Sequence, residues 1–180
     1  MIFRPLPTKR EKDFLALLNP NLDPDMLSEE NGGRLFFGNR DYLPATVKSI
    51  HALLKHYQIP LEGKKAVVLG RSVSLGLPCF LRLSKENRTV TQIHSHTNES
   101  IREERIKSAD LIVLASGKTG LVHPSWVNKN QTIIDCGFAK GGELGFIPDV
   151  YAYTPVPGGI GALTPYYLVL NARQEYRKQN

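Results

Sequence analysis

An α/β fold built on a parallel sheet, with helices on both of its faces, is what this sequence predicts, and three observations carry the prediction. Short runs that read as strands recur at Ala66–Leu69, Thr89–Ile93, Leu111–Ala115 and Thr132–Cys136. Helical stretches stand between them, at Leu77–Lys85 and Glu99–Ser108, with a short helical turn at Pro124–Val127. The first run is apolar throughout and ends on Gly70, as a strand covered on both faces and leading into a tight turn would read. Strands alternating with helices imply right-handed crossovers and therefore parallel neighbours.

The remaining elements follow in chain order. Thr8-Lys9-Arg10-Glu11 fits a capping box, and Phe14, Leu15, Leu17 and Leu18 follow at helical spacing until Asn19-Pro20. From there to about Pro44 the chain is rich in Asn, Asp, Gly and Pro and reads as irregular. A second helix is predicted over Thr46–Tyr57, its buried face marked by Val47, Ile50, Leu53, Leu54 and Tyr57. A closing helix is predicted from Thr164 to about Lys178, with Tyr167, Leu168 and Leu170 on its apolar side. There is no internal repeat and no low-complexity tract.

With 180 residues the chain has room for one domain with a proper core and a short appendage. Its hydrophobic share of 41% and charged share of 22% are those of an ordinary globular protein rather than a disordered one. No apolar run approaches the roughly 18 residues that span a bilayer. The opening MIFRPLP meets a proline too early for a signal peptide, so a soluble, cytoplasmic protein is expected. Cys79 and Cys136 lack metal-ligand spacing and are expected to be buried free thiols. The net charge of +6 raises nucleic acid as a partner, but the basic residues are scattered singly or in short runs, without an aromatic-and-basic stripe. A small polyanionic ligand suits the same bias, and neither nucleic acid nor membrane is expected as a partner.

That ligand has a candidate site. The first strand runs into Gly70-Arg71-Ser72-Val73-Ser74-Leu75-Gly76-Leu77-Pro78. Gly70 permits a tight turn, Gly76 lets the next helix start close to a ligand, and amide N–H groups at that helix start are expected to face a pyrophosphate. The spacing departs from the usual G-x-G-x-x-G, so its place after the first strand of a βαβ series carries the inference of a Rossmann-type dinucleotide site. The second strand tests it independently. NAD-preferring domains carry Asp or Glu roughly 20 residues beyond the glycines, to hold the ribose hydroxyls. Here the strand ends in His94-Ser95-His96-Thr97, with no acid before Glu99. Hydroxyls, an imidazole and Arg71, whose fork donates in pairs, suit a 2′-phosphate and favour NADP. His94 and His96 share a strand face, but no third ligand stands nearby and no metal is expected. His51, His56 and His123 read as surface or packing residues.

Several phrases closely resemble the bifunctional methylenetetrahydrofolate dehydrogenase/methenyltetrahydrofolate cyclohydrolase (FolD) family. They are Gly70-Arg71-Ser72…Gly76-x-Pro78, Thr89-Val90-Thr91…His94-Ser95-x-Thr97, Ala109-Asp110-Leu111-Ile112-Val113…Gly117-Lys118 and Ile134-Asp135-Cys136-Gly137. The most specific is Thr154-Pro155-Val156-Pro157-Gly158-Gly159-Ile160-Gly161-x-x-Thr164. Upstream, Arg4-Pro5-Leu6-Pro7, Asp23-x-Asp25, Asn31-x-Gly33-Arg34-Leu35 and Leu43-Pro44-x-Thr46 match as well, so the resemblance covers almost the whole chain.

The resemblance implies NADP-dependent oxidation of 5,10-methylenetetrahydrofolate, with hydrolysis of the methenyl product as a second activity. It implies a Rossmann-type parallel sheet over residues 46–163, an N-terminal remnant of a second α/β domain over 1–45, and a helix over 164–180 packing toward the N-terminal part. By position, Arg71, Ser72 and Ser95, with His94 and Thr97 beside them, take the adenosine end of NADP. Backbone around Ser116, Gly117 and Gly137 lines the dinucleotide track, and Gly70, Gly76, Ile160 and Thr164 are further cofactor-binding positions. Pro157, Gly158, Gly159 and Ile160 form the wall where nicotinamide meets folate, and Asp25 binds the pterin, although Asp-Pro-Asp also reads as a plain turn. The family's N-terminal Tyr-x-x-x-Lys, whose lysine is central to the chemistry, does not occur in the first part of this chain, so no catalytic residue is identified. Phe3 stands where the family has a glutamine, and Met26 where it has a glycine. Two outcomes stay open: a dehydrogenase acting alone or with a partner, and an NADP-binding module or half of a split enzyme without chemistry of its own. Apolar positions such as Phe14, Leu17 and Leu168 are expected to be covered by a second copy or by a separately encoded N-terminal partner.

Overall fold

The computed structural model describes residues 10–39, 43–60 and 62–179. Phe3, the Arg4–Pro7 phrase and the Thr8-Lys9 half of the capping box lie outside the described residues. In chain order the elements are α1 (Glu11–Ala16), α2 (Glu29–Phe36), α3 (Ala45–His56), β1 (Lys65–Leu69), α4 (Gly76–Ser84), β2 (Thr89–Ile93), α5 (Glu99–Lys107), β3 (Leu111–Leu114), β4 (Thr132–Asp135), β5 (Ala152–Tyr153) and α6 (Ile160–Gln179). Short 3-10 turns occupy Pro20–Leu22 and Pro124–Trp126.

The five strands form one parallel sheet in the order β2-β1-β3-β4-β5. Side chains two apart share a face, and this period divides the core in two. Ala66, Val68, Leu111, Val113 and Ile134 point to one side, under Val47, Ile50 and Leu54 of α3, Cys79 and Leu83 of α4, and Ile160 of α6. Val67, Leu69, Ile112, Leu114 and Ile133 point to the other, against Ile106 of α5 and Trp126. The central strands are thus buried on both faces, which is why they read as unbroken apolar runs. At the sheet edge, β2 carries Thr89, Thr91 and Gln92 and is only partly covered.

Three elements differ from expectation. α2 lies inside the stretch that reads as irregular, because Gly32 and Gly33 each cost a helix about 1 kcal/mol. Caps offset that cost. Ser28 accepts a hydrogen bond from the Asn31 amide, Glu29 and Glu30 sit in the first turn and Arg34 in the last, and Leu35 is buried in the core. β5 is only two residues long and gives no periodic signal. α6 begins four residues before Thr164 and carries Pro165 inside it, with the Thr164 hydroxyl donating to the Ile160 carbonyl at 3.1 Å. Tyr167, Leu168 and Leu170 are half-buried, whereas Ile160, Asn171 and Glu175 are the deep residues of α6.

α6 packs along α3, and Asn171 joins them to the N-terminal segment. Lys48 Nζ donates to Asn171 Oδ1 at 2.6 Å, while Asn171 Nδ2 donates to the carbonyls of Pro24 (2.7 Å) and Leu43 (3.0 Å). Among the described residues no helix is long and apolar enough to cross a membrane.

Candidate functional site

The chain leaves β1 for β2 on one side and returns to place β3 on the other, so the strand order reverses between β1 and β3. At such a reversal the loops after the strands diverge and leave a crevice at their carboxyl ends. Gly70 and Ser116 stand there. Gly70 has φ +145, and a Cβ on it would lie 2.0 Å from the Ala115 carbonyl oxygen. Its amide donates to the Ile93 carbonyl at 2.8 Å, and Gln92 Nε2 donates to the Gly70 carbonyl at 3.0 Å. Gly76 lies directly on this turn, since a Cβ there would sit 2.5 Å from the Gly70 carbonyl carbon and oxygen. Both glycines are therefore required by close backbone approach.

The helix start itself corrects the expectation of amides facing a pyrophosphate. The Gly76 amide donates to Ser72 Oγ at 3.3 Å and the Leu77 amide to the Ser72 carbonyl at 3.0 Å. Pro78 has no N–H, and the Cys79 amide is taken by the Leu75 carbonyl. What the loop presents outward are the exposed residues Arg71, Ser72 and Val73.

At the end of β2, residues 94–97 form a tight turn. The His94 amide donates to Thr97 Oγ1 (3.0 Å), the Thr97 amide to the His94 carbonyl (2.9 Å) and the His96 amide to His94 Nδ1 (3.2 Å). Thr97 and His94 thus shape the turn that carries Ser95. The His94 imidazole is held below its ordinary pKa by desolvation, then by the positive charges of Arg71 and His96. Arg71 and the 94–97 turn accordingly share one electropositive corner.

Two buried carboxylates that sequence reasoning missed organise the other half of the crevice. Glu143 accepts from the Ser116 amide (2.8 Å), the Ser116 hydroxyl (2.6 Å) and the Gly117 amide (2.8 Å). Asp135, at the end of β4, accepts from the amides of Gly137 (2.8 Å), Glu143 (3.0 Å) and Leu144 (2.9 Å). The segment after β4 closes tightly around Asp135, because a Cβ on Gly142 would lie 2.3 Å from its Oδ2. The amides of Ser116, Gly117 and Gly137 therefore face carboxylates, and these residues offer the crevice their surface rather than their N–H groups. Desolvation raises the Glu143 pKa above its ordinary value, with the Ser116 and Gly117 hydrogen bonds opposing it and the Asp135 charge adding to it. The Gly-Gly pair at 141–142 was the one sequence signal of this closure.

The Thr154–Ile160 loop borders the same end of the sheet. Its Val156–Pro157 bond is cis, and Pro157 and Gly158 are exposed. Gly159 is buried, and a Cβ on it would meet the Pro155 carbonyl oxygen at 2.5 Å. In the N-terminal segment, Asp25 Oδ1 accepts from the Ala45 amide at 3.3 Å and so caps α3, whose N-cap Pro44 has no side-chain oxygen. Beside it, Met26 is buried at φ +58. Asp23 is the local hub, accepting from the Leu27 and Ser28 amides and from Asn31 Nδ2. Both cysteines are free, and burial pushes the Cys79 thiol up to about 12.

Comparison with known proteins places this geometry. Residues 44–180 match the family model described as tetrahydrofolate dehydrogenase/cyclohydrolase, NAD(P)-binding domain. The bifunctional protein FolD of Clostridium perfringens is 37% identical over 185 residues, covering 97% of this chain and 66% of the relative. That of Clostridium beijerinckii is 40% identical, over 93% of this chain and 62% of the relative. This chain thus spans slightly less than two thirds of the length of those relatives. Among solved structures, the Trypanosoma brucei methylenetetrahydrofolate dehydrogenase-cyclohydrolase, complexed with NADP cofactor and an inhibitor, superposes with a TM-score of 0.89 at 30% identity, over 97% of this chain and 65% of that one. The Campylobacter jejuni enzyme gives 0.87 at 29% identity, over 98% and 66%. This chain belongs to the tetrahydrofolate dehydrogenase/cyclohydrolase family and carries its NAD(P)-binding domain.

Proposed function

We propose that the chain binds NADP across the β1–β3 crevice and serves the NADP-dependent oxidation of 5,10-methylenetetrahydrofolate. The observation that carries this reading is the glycine cradle at Gly70 and Gly76 opening beside Arg71 and a 94–97 turn that contains no acid. The residues present fit the group. Two glycines let the turn after β1 fold tightly at the mouth of the crevice, and the Arg71 fork with the Ser72 and Ser95 hydroxyls supplies donors to phosphate oxygens. His94 and Thr97 hold the turn for Ser95. Ser116, Gly117 and Gly137, fixed by Glu143 and Asp135, line the track toward the nicotinamide, and Ile160 and Thr164 stand beside it at the start of α6, Ile160 with its side chain turned into the core. The bound cofactor supplies the hydride acceptor. Pro157, Gly158 and Gly159 give a wall low enough for nicotinamide and folate to approach, and placement of that kind accounts for much of the rate of a hydride transfer. Asp25 accepts from the pterin's N–H and amino donors. Cyclohydrolase activity, a homodimer or separately encoded N-terminal partner, a cytoplasmic location, and the division into residues 1–45, 46–163 and 164–180 belong to the same proposal.

A second reading, an NADP-binding module without chemistry of its own, draws on Met26, whose buried side chain stands next to Asp25 where the resemblance has glycine. Reduction of NADP⁺ by the purified chain with 5,10-methylenetetrahydrofolate, followed by nicotinamide absorbance, separates the two. The expected result is turnover that falls by about 100-fold in Asp25→Asn, a loss of charge-assisted hydrogen bonds. This variant keeps an acceptor for the Ala45 amide, so its stability should hold. NADP binding without turnover would favour the module.

A further inference from the structure

Arg102 stands in the first half of α5, half-buried, behind the turn that ends β2. Its Nη1 donates to the Ser95 carbonyl at 3.4 Å, seven residues upstream. Its Nε is buried and has no hydrogen-bond partner among the described residues. Neighbouring acids on the same helix are engaged elsewhere. Glu103 pairs with Lys107 at 2.6 Å and Glu104 with Arg105 at 3.5 Å, while Glu99 is exposed in the first turn. Arg102 therefore keeps a full positive charge fixed against the backbone of Ser95, without a carboxylate ion pair among the described residues. Arg71 brings a second guanidinium to the turn from the β1 side, close enough for its charge to act on His94. Two arginines from different elements thus act on this turn, Arg102 through the Ser95 carbonyl and Arg71 through its charge on His94.

We propose that Arg102 is a specificity-determining positioning residue for the cofactor's 2′-phosphate, orienting Ser95 through its carbonyl and lending the turn a second fixed cation. This rests on the reading of the 94–97 turn as the 2′-phosphate site. The physical logic is that a guanidinium already ordered by a backbone carbonyl costs little further entropy when an anion arrives. A charge behind the turn adds little for a ligand whose ribose bears only hydroxyls. Arg102 therefore acts on the difference between the two cofactor types.

The test is isothermal titration of the full chain with adenosine 2′,5′-bisphosphate and with adenosine 5′-monophosphate. For Arg102→Gln the expected result is a loss of about 5- to 30-fold for the bisphosphate, the scale of one charge-assisted contact, with the monophosphate changed less than about twofold. Arg102→Lys, which keeps the charge without the planar fork, should fall between Gln and wild type and covers the case in which the Gln variant does not fold. Equal losses for both ligands, in either variant, would mean that Arg102 only braces the loop and would overturn the proposal, as would no loss for either. Wild type that does not prefer the bisphosphate would overturn the NADP reading itself, and this proposal with it.

Discussion

Gly70→Ala is expected to lose about 2–6 kcal/mol of stability in urea unfolding and to bind no dinucleotide. Two independent costs combine. At φ +145 a side chain has no relaxed conformation, which costs on the order of 1–3 kcal/mol. The new methyl would also stand 2.0 Å from the Ala115 carbonyl oxygen, and something must move, at about 1–3 kcal/mol more. Neither side yields easily. The Ala115 amide is tied to the Leu69 carbonyl at 2.8 Å and the Gly70 amide to the Ile93 carbonyl at 2.8 Å, so a shift of either breaks the end of the sheet. The Gly70 carbonyl lies against Gly76, so the shift also reaches the start of α4. A variant within about 1 kcal/mol of wild type would mean that the β1–β3 approach is looser than described.

Asp135→Asn is the second large effect expected, a loss of about 2–3 kcal/mol, read by chemical denaturation near neutral pH. The buried carboxylate accepts from three amides, two on Oδ1 (Gly137 and Glu143) and one on Oδ2 (Leu144). An asparagine oxygen can serve the first two, but its NH₂ then meets the Leu144 N–H, donor against donor. If it flips, two amides are orphaned instead of one. The damage spreads through Glu143, whose own carboxylate holds Ser116 and Gly117, so dinucleotide affinity should fall along with stability. Unchanged stability would show that the segment after β4 is not held by this carboxylate.

These two residues also mark what the sequence could and could not tell. Gly70 and Gly76 were legible because a backbone that must pass within contact distance of another leaves only one residue type. The sheet was legible because strands buried on both faces, such as Val67–Leu69 and Leu111–Leu114, have no polar positions to confuse the pattern. Asp135 and Glu143 were not. The partners of Glu143 lie 26 and 27 positions away, so apart from the Gly-Gly pair at 141–142 nothing local distinguishes the two acids from a strand end and a loop acid. α2 was hidden by two glycines that local propensity penalises and that capping and the burial of Leu35 overrule. The amides at the start of α4 are expected to face a phosphate from the place of the Gly70–Gly76 turn after the first strand, whereas Ser72, four residues before Gly76, satisfies two of them. Arg102 was passed over because an arginine on a polar helix reads as solvated, and only the fold brings it behind Ser95.

The most direct test of the central claim is the affinity of the purified chain for NADP and for NAD, measured by isothermal titration in wild type and in Arg71→Gln. The predicted result is an NADP preference of about 10- to 100-fold, the scale of a paired, charge-assisted contact to the 2′-phosphate. In Arg71→Gln that preference should collapse to within a few-fold while NAD affinity is retained. Wild type that binds neither dinucleotide, or an NADP preference that survives the loss of Arg71, would contradict the account.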